Sequence, residues 1–206
     1  MKLICFGDSW TAGHGVEDNK LYKEIANPDK FIQKLREQNS WPKWVAQKLN
    51  IPYVNLGVCG YGNEYILKDL SEIKNMESFD DDDIIIVMFS YPYRYSADTY
   101  NVIDIYHKFE SKLKNYKHFY FNSFYPTFKE ENFDTKKLSD YFINPNGCVA
   151  DILKEYELKN NVSVWEYGSR SVWNDEKNYW EGDYHPNVLG YEIIGEYIYQ
   201  QIQDKL

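Results

Sequence analysis

The sequence predicts an α/β protein, namely a three-layer α/β/α sandwich around a five-stranded parallel sheet. Short apolar runs that fit buried parallel strands alternate along the chain with longer stretches whose apolar residues recur at helical spacing. No internal repeat interrupts this alternation. The 206 residues fit one domain, predicted over residues 1–206, and a chain of this length can bury a sizeable core.

The predicted strands are short runs rich in β-branched and aromatic residues, which strands favour. They are residues 3–6, 53–56, 84–89, 118–122 and 162–165. Gly7 ends the first strand, because a glycine after an apolar run permits the sharp turn by which a buried strand enters a loop. The segment 84–89 is the strongest, since all six of its side chains are apolar.

Helices are predicted where apolar residues recur three and four positions apart. They are a short helix around Ile32, one after Ser40, one from Asn63, one at residues 99–114, one at 149–156 and a last one from near Asn187. Ser40 is suited to be the N-cap of its helix, and Pro52 stops that helix. Residues 124–146 are aromatic, polar and broken by proline, which predicts a long loop.

Composition excludes several classes of function. The net charge of −9 argues against binding to nucleic acid or to an anionic membrane surface. Three scattered cysteines, Cys5, Cys59 and Cys148, form neither a metal spacing nor a disulfide framework. Without a signal peptide or a membrane-length apolar run, a cytoplasmic location is expected, with release by lysis if the protein is of phage origin. Residues 80–83 are four aspartates, which we interpret as a solvated acidic loop rather than a metal site.

Two segments at opposite ends of the chain carry the chemistry. Ser9 follows the first strand at its carboxyl end, the edge at which parallel sheets bind ligands, and Asp8 is expected to brace the turn. A serine nucleophile needs a base within hydrogen-bond reach and a group that orients the base. Asp183 and His185 offer both from one loop before the last helix. His14, a lone histidine in the loop after Ser9, either lines a pocket or, as the favoured interpretation, is solvated.

Gly7-Asp8-Ser9 and Asp183-x-His185-Pro together resemble the SGNH (GDSL-type) serine esterase family, from residue 3 to the final helix. The resemblance implies a flavodoxin-like sheet with strand order 2-1-3-4-5. It also implies Ser9 as nucleophile, His185 as base and Asp183 as the orienting acid, with no metal and no cofactor. Family members usually carry the aspartate three residues before the histidine, so Glu181 or a backbone carbonyl stays an alternative to Asp183.

The same resemblance implies an oxyanion hole built from the N–H groups of Ser9 and Gly60. The chain departs from the family after the third strand. Members usually carry Gly-x-Asn-Asp there, and the asparagine is the third donor, whereas this chain has Ser90-Tyr-Pro-Tyr-Arg94. We predict that the Ser90 hydroxyl replaces that donor and that Arg94 supplies positive charge. Some phage-type members resemble this pattern.

The predicted activity is hydrolysis of a small-molecule or glycan ester, with an O-acetyl group on a carbohydrate as the favoured substrate. The residues predicted to bind substrate are Arg94, Asn63, Tyr91 and Trp180. The missing asparagine keeps open a weakly active or inactive carbohydrate-binding or structural protein on the same fold. A nucleotide or flavin binder is a third interpretation, but Gly60-x-Gly62 lacks the third glycine of a dinucleotide fingerprint, since Tyr65 occupies its place.

Overall fold

The computed structural model describes residues 1–16, 28–76, 79–90, 102–124, 138–165, 172–174, 179–181 and 185–206. Within these ranges, parallel strands form one sheet in the order β2-β1-β3-β4. The strands are β1 (Leu3–Gly7), β2 (Tyr53–Gly57), β3 (Ile84–Phe89) and β4 (Lys117–Asn122). This order agrees with the first four positions of the predicted sheet.

Helices connect and cover the strands. They are α1 (Ser9–Ala12), α2 (Pro28–Asn39), α3 (Trp41–Leu49), α4 (Asn63–Met76), α5 (Val102–Leu113), α6 (Val149–Asn160) and α7 (Val188–Ile202), followed by a 3₁₀ turn at Gln203–Lys205. A separate antiparallel hairpin consists of β5 (Val172–Asn174) and β6 (Tyr179–Glu181). Each predicted helix has its counterpart, whereas the hairpin was not predicted.

The sheet has a hydrophobic core on each face. Successive side chains of a strand point to opposite faces, so neighbours in one strand enter different cores. Cys5 and Ile86 pack in the core that α3, α6 and α7 cover. Phe6 and Val87 pack in the core that α4 and α5 cover. This arrangement confirms the predicted α/β/α sandwich.

The sheet differs from the prediction at its fifth strand. Of residues 162–165, only Trp165 pairs with a strand or bridge partner in the described ranges, through an isolated antiparallel bridge to Pro186. The outer edge of β4 is instead paired with residues 141–143. The Tyr120 N–H donates to the Tyr141 carbonyl and the Ile143 N–H donates to the Tyr120 carbonyl, both at 2.9 Å. Because those bonds occupy both backbone groups of Tyr120 at that edge, residues 162–165 do not pair there.

The acidic segment lies at the amino end of β3, the edge opposite Ser9. Carboxylate oxygens of Asp80, Asp82 and Asp83 lie within 4.8 Å of one another. Asp83 is buried and accepts hydrogen bonds from the N–H of Lys2 (2.8 Å) and of Asp80 (3.0 Å). Its carboxylate also lies 3.6 Å from the Lys2 ammonium. This cluster therefore ties β1 and β3 together at their amino ends.

The state of the cysteines and the lengths of the helices bear on the predictions made from composition. None of the three cysteines, all of which lie in the described ranges, forms a disulfide bond. Among the helices of the described ranges, none combines the length and the apolar character that crossing a membrane requires.

Candidate active site

Ser9 is the first residue of α1, directly beyond the carboxyl end of β1. Asp8 caps this helix: its Oδ1 accepts the Trp10 N–H at 3.0 Å, and its carbonyl accepts the Thr11 N–H at 3.0 Å. Asp8 therefore braces the turn, as predicted. A Cβ atom at Gly7 would collide with the Thr11 side chain, so the close return of α1 onto the strand requires glycine.

His185 stands two residues before the N-cap of α7. The cap is Asn187, whose Oδ1 accepts the Gly190 N–H at 2.9 Å. The amide nitrogen of Asn187 donates to the Trp165 carbonyl at 2.9 Å, and Pro186 bridges Trp165. These contacts anchor the chain on the carboxyl side of His185 to Trp165.

The two ends of the chain meet in one hydrogen bond. Ser9 Oγ and His185 Nε2 are 2.9 Å apart, although 176 positions separate the residues in sequence. Each residue is only 3% exposed, so the pair is shielded from water. A hydroxyl at this distance from an imidazole nitrogen can donate its proton to that nitrogen, which is the first requirement of a serine nucleophile.

A second imidazole contacts the same nitrogen. His14 Nδ1 lies 3.3 Å from His185 Nε2, and the ring centroids are 4.2 Å apart. The backbone of His14 is bonded on both sides: its N–H donates to the Ser9 carbonyl at 3.0 Å, and its carbonyl accepts the Tyr191 hydroxyl at 2.7 Å. The interpretation of His14 as a solvated loop histidine is therefore wrong, because the half-buried ring packs on His185.

Gly60 lies in the loop between β2 and α4. Its φ of +88° is in the left-handed region, which glycine adopts without strain. At the start of this loop the Val58 N–H donates to the Gly7 carbonyl at 3.0 Å, so the loop leaves the sheet beside the turn that carries Ser9. The oxyanion role of Gly60 stays a prediction.

Ser90 and Asn63 join a buried network beneath the nucleophile. The Ser90 hydroxyl donates to Asp8 Oδ2 at 2.7 Å. Asn63 holds the Ser90 backbone, since its Oδ1 accepts the Ser90 N–H at 2.7 Å and its Nδ2 donates to the Ser90 carbonyl at 3.1 Å. All three residues are at most 1% exposed. The single hydroxyl hydrogen of Ser90 is therefore directed at Asp8, and serving an oxyanion would require the hydroxyl to rotate.

The remaining predicted residues are placed only in part. Asp183, Tyr91 and Arg94 lie outside the described residues. The backbone of Trp180 lies in β6, directly opposite Trp173 in β5. Because β6 ends at Glu181, this hairpin leads into the loop that carries His185.

Sequence reasoning missed two features of the site. The contact of His14 with His185 had a weak signal, namely a histidine between two glycines, five positions after the nucleophile. The bond from Ser90 to Asp8 had no local signal, because the two residues follow different strands and lie 82 positions apart.

The fold occurs in solved carbohydrate esterases. A family 2 carbohydrate esterase with a carbohydrate-binding domain from Corynascus thermopiles (Myceliophthora fergusii) superposes with a TM-score of 0.52 at 13% identity, over 98% of this chain and 65% of that one. An active-site mutant of a family two carbohydrate esterase from Clostridium thermocellum superposes with a TM-score of 0.50 at 16% identity, over 99% of this chain and 63% of that one. This chain thus spans about two thirds of each protein.

The sequence itself identifies the family. No curated protein sequence matches the chain significantly. The model of the GDSL-like lipase/acylhydrolase family, in contrast, matches residues 3–198, which include both the turn with Ser9 and the loop with His185. The chain therefore belongs to the GDSL-like lipase/acylhydrolase family and is a carboxylic ester hydrolase by class.

Proposed function

We propose that the protein hydrolyses a carboxylic ester by a Ser-His-Asp mechanism and that its substrate is an O-acetyl group on a carbohydrate. The observation that carries the proposal is the 2.9 Å hydrogen bond between Ser9 Oγ and His185 Nε2 in a buried site. A serine hydroxyl is weakly nucleophilic at neutral pH, and an adjacent imidazole removes that obstacle.

The first half of the reaction acylates the enzyme. Ser9 Oγ attacks the ester carbonyl carbon while its proton passes to His185 Nε2. The N–H groups of Ser9 and Gly60 stabilise the negative oxygen of the tetrahedral intermediate, and Asp183 orients the imidazole. His185 then protonates the leaving alcohol, which departs as the intermediate collapses to an acyl-serine.

The second half releases the acid. Water attacks the acyl-serine, His185 accepts the proton of that water, and the same proton returns to Ser9 Oγ as the carboxylic acid leaves. For an O-acetyl substrate the products are acetate and a sugar with a free hydroxyl. Every proton removed from one oxygen is returned to another, so no further reactant is needed.

Two observations favour a carbohydrate as the alcohol. Two solved proteins that share the fold, at TM-scores of 0.50 and 0.52, are both described as carbohydrate esterases. In addition, the hairpin that precedes His185 carries Trp173 and Trp180 at opposite positions of its backbone register, and the flat faces of tryptophan suit sugar rings.

The proposal is tested with a fluorophosphonate probe, which forms a covalent bond with an activated serine. We expect the wild-type protein to be labelled at Ser9, Ser9→Ala to be unlabelled, and His185→Ala to react at least about 10⁴-fold more slowly, because triad members act as a unit. The matched controls are Ser71→Ala on α4 and His107→Ala on α5, which we expect to react like wild type.

A panel of esters then identifies the substrate. We expect acetylated sugars to be hydrolysed faster than simple short-chain esters, and Ser9→Ala to hydrolyse neither. A folded wild-type protein that is neither labelled nor active would overturn the proposal and favour the carbohydrate-binding alternative. This alternative stays in view because the family's asparagine is missing and the hydroxyl of Ser90, its predicted replacement, is directed at Asp8.

A further inference from the structure

We propose that His14 is a positioning residue that accepts a hydrogen bond from the His185 Nε2–H formed when Ser9 attacks, and that it thereby stabilises the protonated base. This inference deepens the proposed function and rests on it. The contact that carries it is the 3.3 Å separation of His14 Nδ1 and His185 Nε2.

His185 Nε2 changes from a hydrogen-bond acceptor to a donor during the reaction, and the donor state needs an acceptor. An imidazole nitrogen carries either a lone pair or a hydrogen, so Nε2 accepts in one state and donates in the other. Before attack, its lone pair accepts the Ser9 hydroxyl at 2.9 Å. During attack the Oγ–H bond breaks, the Nε2–H bond forms, and an Oγ electron pair forms the new bond to the carbonyl carbon.

After that step Ser9 Oγ is bonded to carbon and is a poorer acceptor than before. The new hydrogen lies on Nε2 in the direction of Oγ, and His14 Nδ1, 3.3 Å from the same nitrogen, is its second acceptor when the hydrogen of His14 is on Nε2. A hydrogen bond from a charged imidazolium is stronger than one between neutral groups. His14 holds the proton in place without taking it, so the proton continues to the leaving alcohol.

The structure anchors His14 for this role. Its N–H is bonded to the carbonyl of Ser9 itself, and its carbonyl is bonded to Tyr191 in α7, the helix that follows His185. The ring is therefore connected through its backbone to both catalytic segments. The two rings lie against each other, inclined at 56° with centroids 4.2 Å apart, and this packing holds the two nitrogens 3.3 Å from each other.

Two substitutions distinguish the effect of the His14 Nδ1 atom from the effect of the volume of the ring. His14→Phe keeps a ring but removes Nδ1, whereas His14→Asn places an amide acceptor near the position of Nδ1. On the best ester substrate we expect kcat of His14→Phe to fall about 10- to 100-fold with KM within about twofold, as loss of a hydrogen bond to a charged group predicts. We expect His14→Asn to restore kcat to within about threefold of wild type.

A spectroscopic measurement on the wild-type protein does not depend on the folding of any variant. In protein labelled with ¹⁵N and phosphonylated at Ser9, we expect a scalar coupling across the hydrogen bond between His185 Nε2 and His14 Nδ1. Absence of that coupling, or a His14→Phe variant as active as wild type, would overturn the role of His14. Either result leaves the proposed function intact. The proposed function itself fails only if Ser9→Ala retains activity, or if the wild type reacts with neither the probe nor an ester.

Discussion

At the scale of single residues, the nucleophile stands on a buried polar network rather than on an apolar floor. Asp8 is fully buried, and its carboxylate oxygens accept hydrogen bonds from the Trp10 N–H and the Ser90 hydroxyl. A buried carboxylate is tolerated only while such donors surround it. Ser90 therefore supports the turn that presents Ser9, whatever it contributes to the reaction.

Removal of this hydroxyl should destabilise the protein. We expect Ser90→Ala to lower the free energy of unfolding by about 1–3 kcal/mol, because a buried charged acceptor loses a donor. The control is Ser123→Ala, also fully buried, whose hydroxyl donates to the Phe89 carbonyl at 2.8 Å. That carbonyl still accepts the Ser123 N–H at 3.0 Å, so the loss should be smaller. Urea unfolding measures both.

The same variant tests the predicted oxyanion role of Ser90. A donor lost from an oxyanion hole lowers kcat by about 100-fold or more. If Ser90→Ala is as stable as Ser123→Ala but shows such a loss of rate, the hydroxyl acts on the substrate and the supporting role given above is wrong.

At the scale of elements, α6 shows how one helix combines a defined start, a buried face and a solvated face. Its N-cap is Cys148, whose N–H donates to Asp151 Oδ2 at 3.0 Å. Its C-cap is Asn161, which is in the left-handed conformation. Between these ends, Leu153 is fully buried in the core with α3 and α7, whereas Leu158 is 75% exposed.

These two leucines make a matched pair within one helix. We expect Leu153→Ala to lower the free energy of unfolding by about 2–5 kcal/mol, since it opens a cavity in a packed core. Leu158→Ala should change it by less than about 0.5 kcal/mol, because the side chain is already in water. Thermal or urea unfolding of both variants measures these changes. Equal effects would contradict the packing of Leu153 in the core that α6 shares with α3 and α7.

At the scale of the whole molecule, a polar cluster joins β4 of the sheet to α5, which covers the face of the sheet opposite to α6. Glu110 of α5 lies 3.1 Å from His118 of β4 and accepts the Ser139 hydroxyl at 3.1 Å. Burial alone would raise the pKa of the Glu110 carboxyl, but the hydrogen bond and charge of His118, with the hydrogen bonds of Ser139 and Tyr106, together lower that pKa below its ordinary value.

This shift makes global stability depend on pH. A carboxyl group whose folded-state pKa is depressed contributes stability above its ordinary pKa, near 4.5, and loses that contribution as pH falls through the folded-state pKa. We therefore expect the free energy of unfolding of wild type to fall below about pH 5 more steeply than that of Glu110→Gln. The difference should stay below about 1 kcal/mol, because the carboxylate is partly exposed.

Urea unfolding at a series of pH values measures this difference. The matched control is Glu155→Gln, which removes a carboxylate from the exposed side of α6. We expect this control to follow the wild-type curve. Parallel curves for wild type and Glu110→Gln would show that Glu110 contributes no pH-dependent stability.

The sequence by itself determined the strands β1 to β4, the main helices and the two segments that carry the chemistry. Apolar runs such as residues 84–89 and periodic apolar faces are properties of neighbouring residues, so the strands β1 to β4 and the main helices followed from local pattern. The turn with Ser9 and the segment with His185 were also recognisable from the sequence. A serine nucleophile needs a histidine or a similar base, and both residue types stand next to a predicted strand or helix end.

Only the tertiary structure decided how distant segments meet. Whether residues 162–165 or 141–143 pair with β4 depends on which backbone occupies a free edge, and both segments have suitable side chains. The contact of His14 with His185 and the bond from Ser90 to Asp8 likewise join residues from different turns. Such contacts are set by the packing of whole layers, which fixes distances between side chains that no local pattern relates.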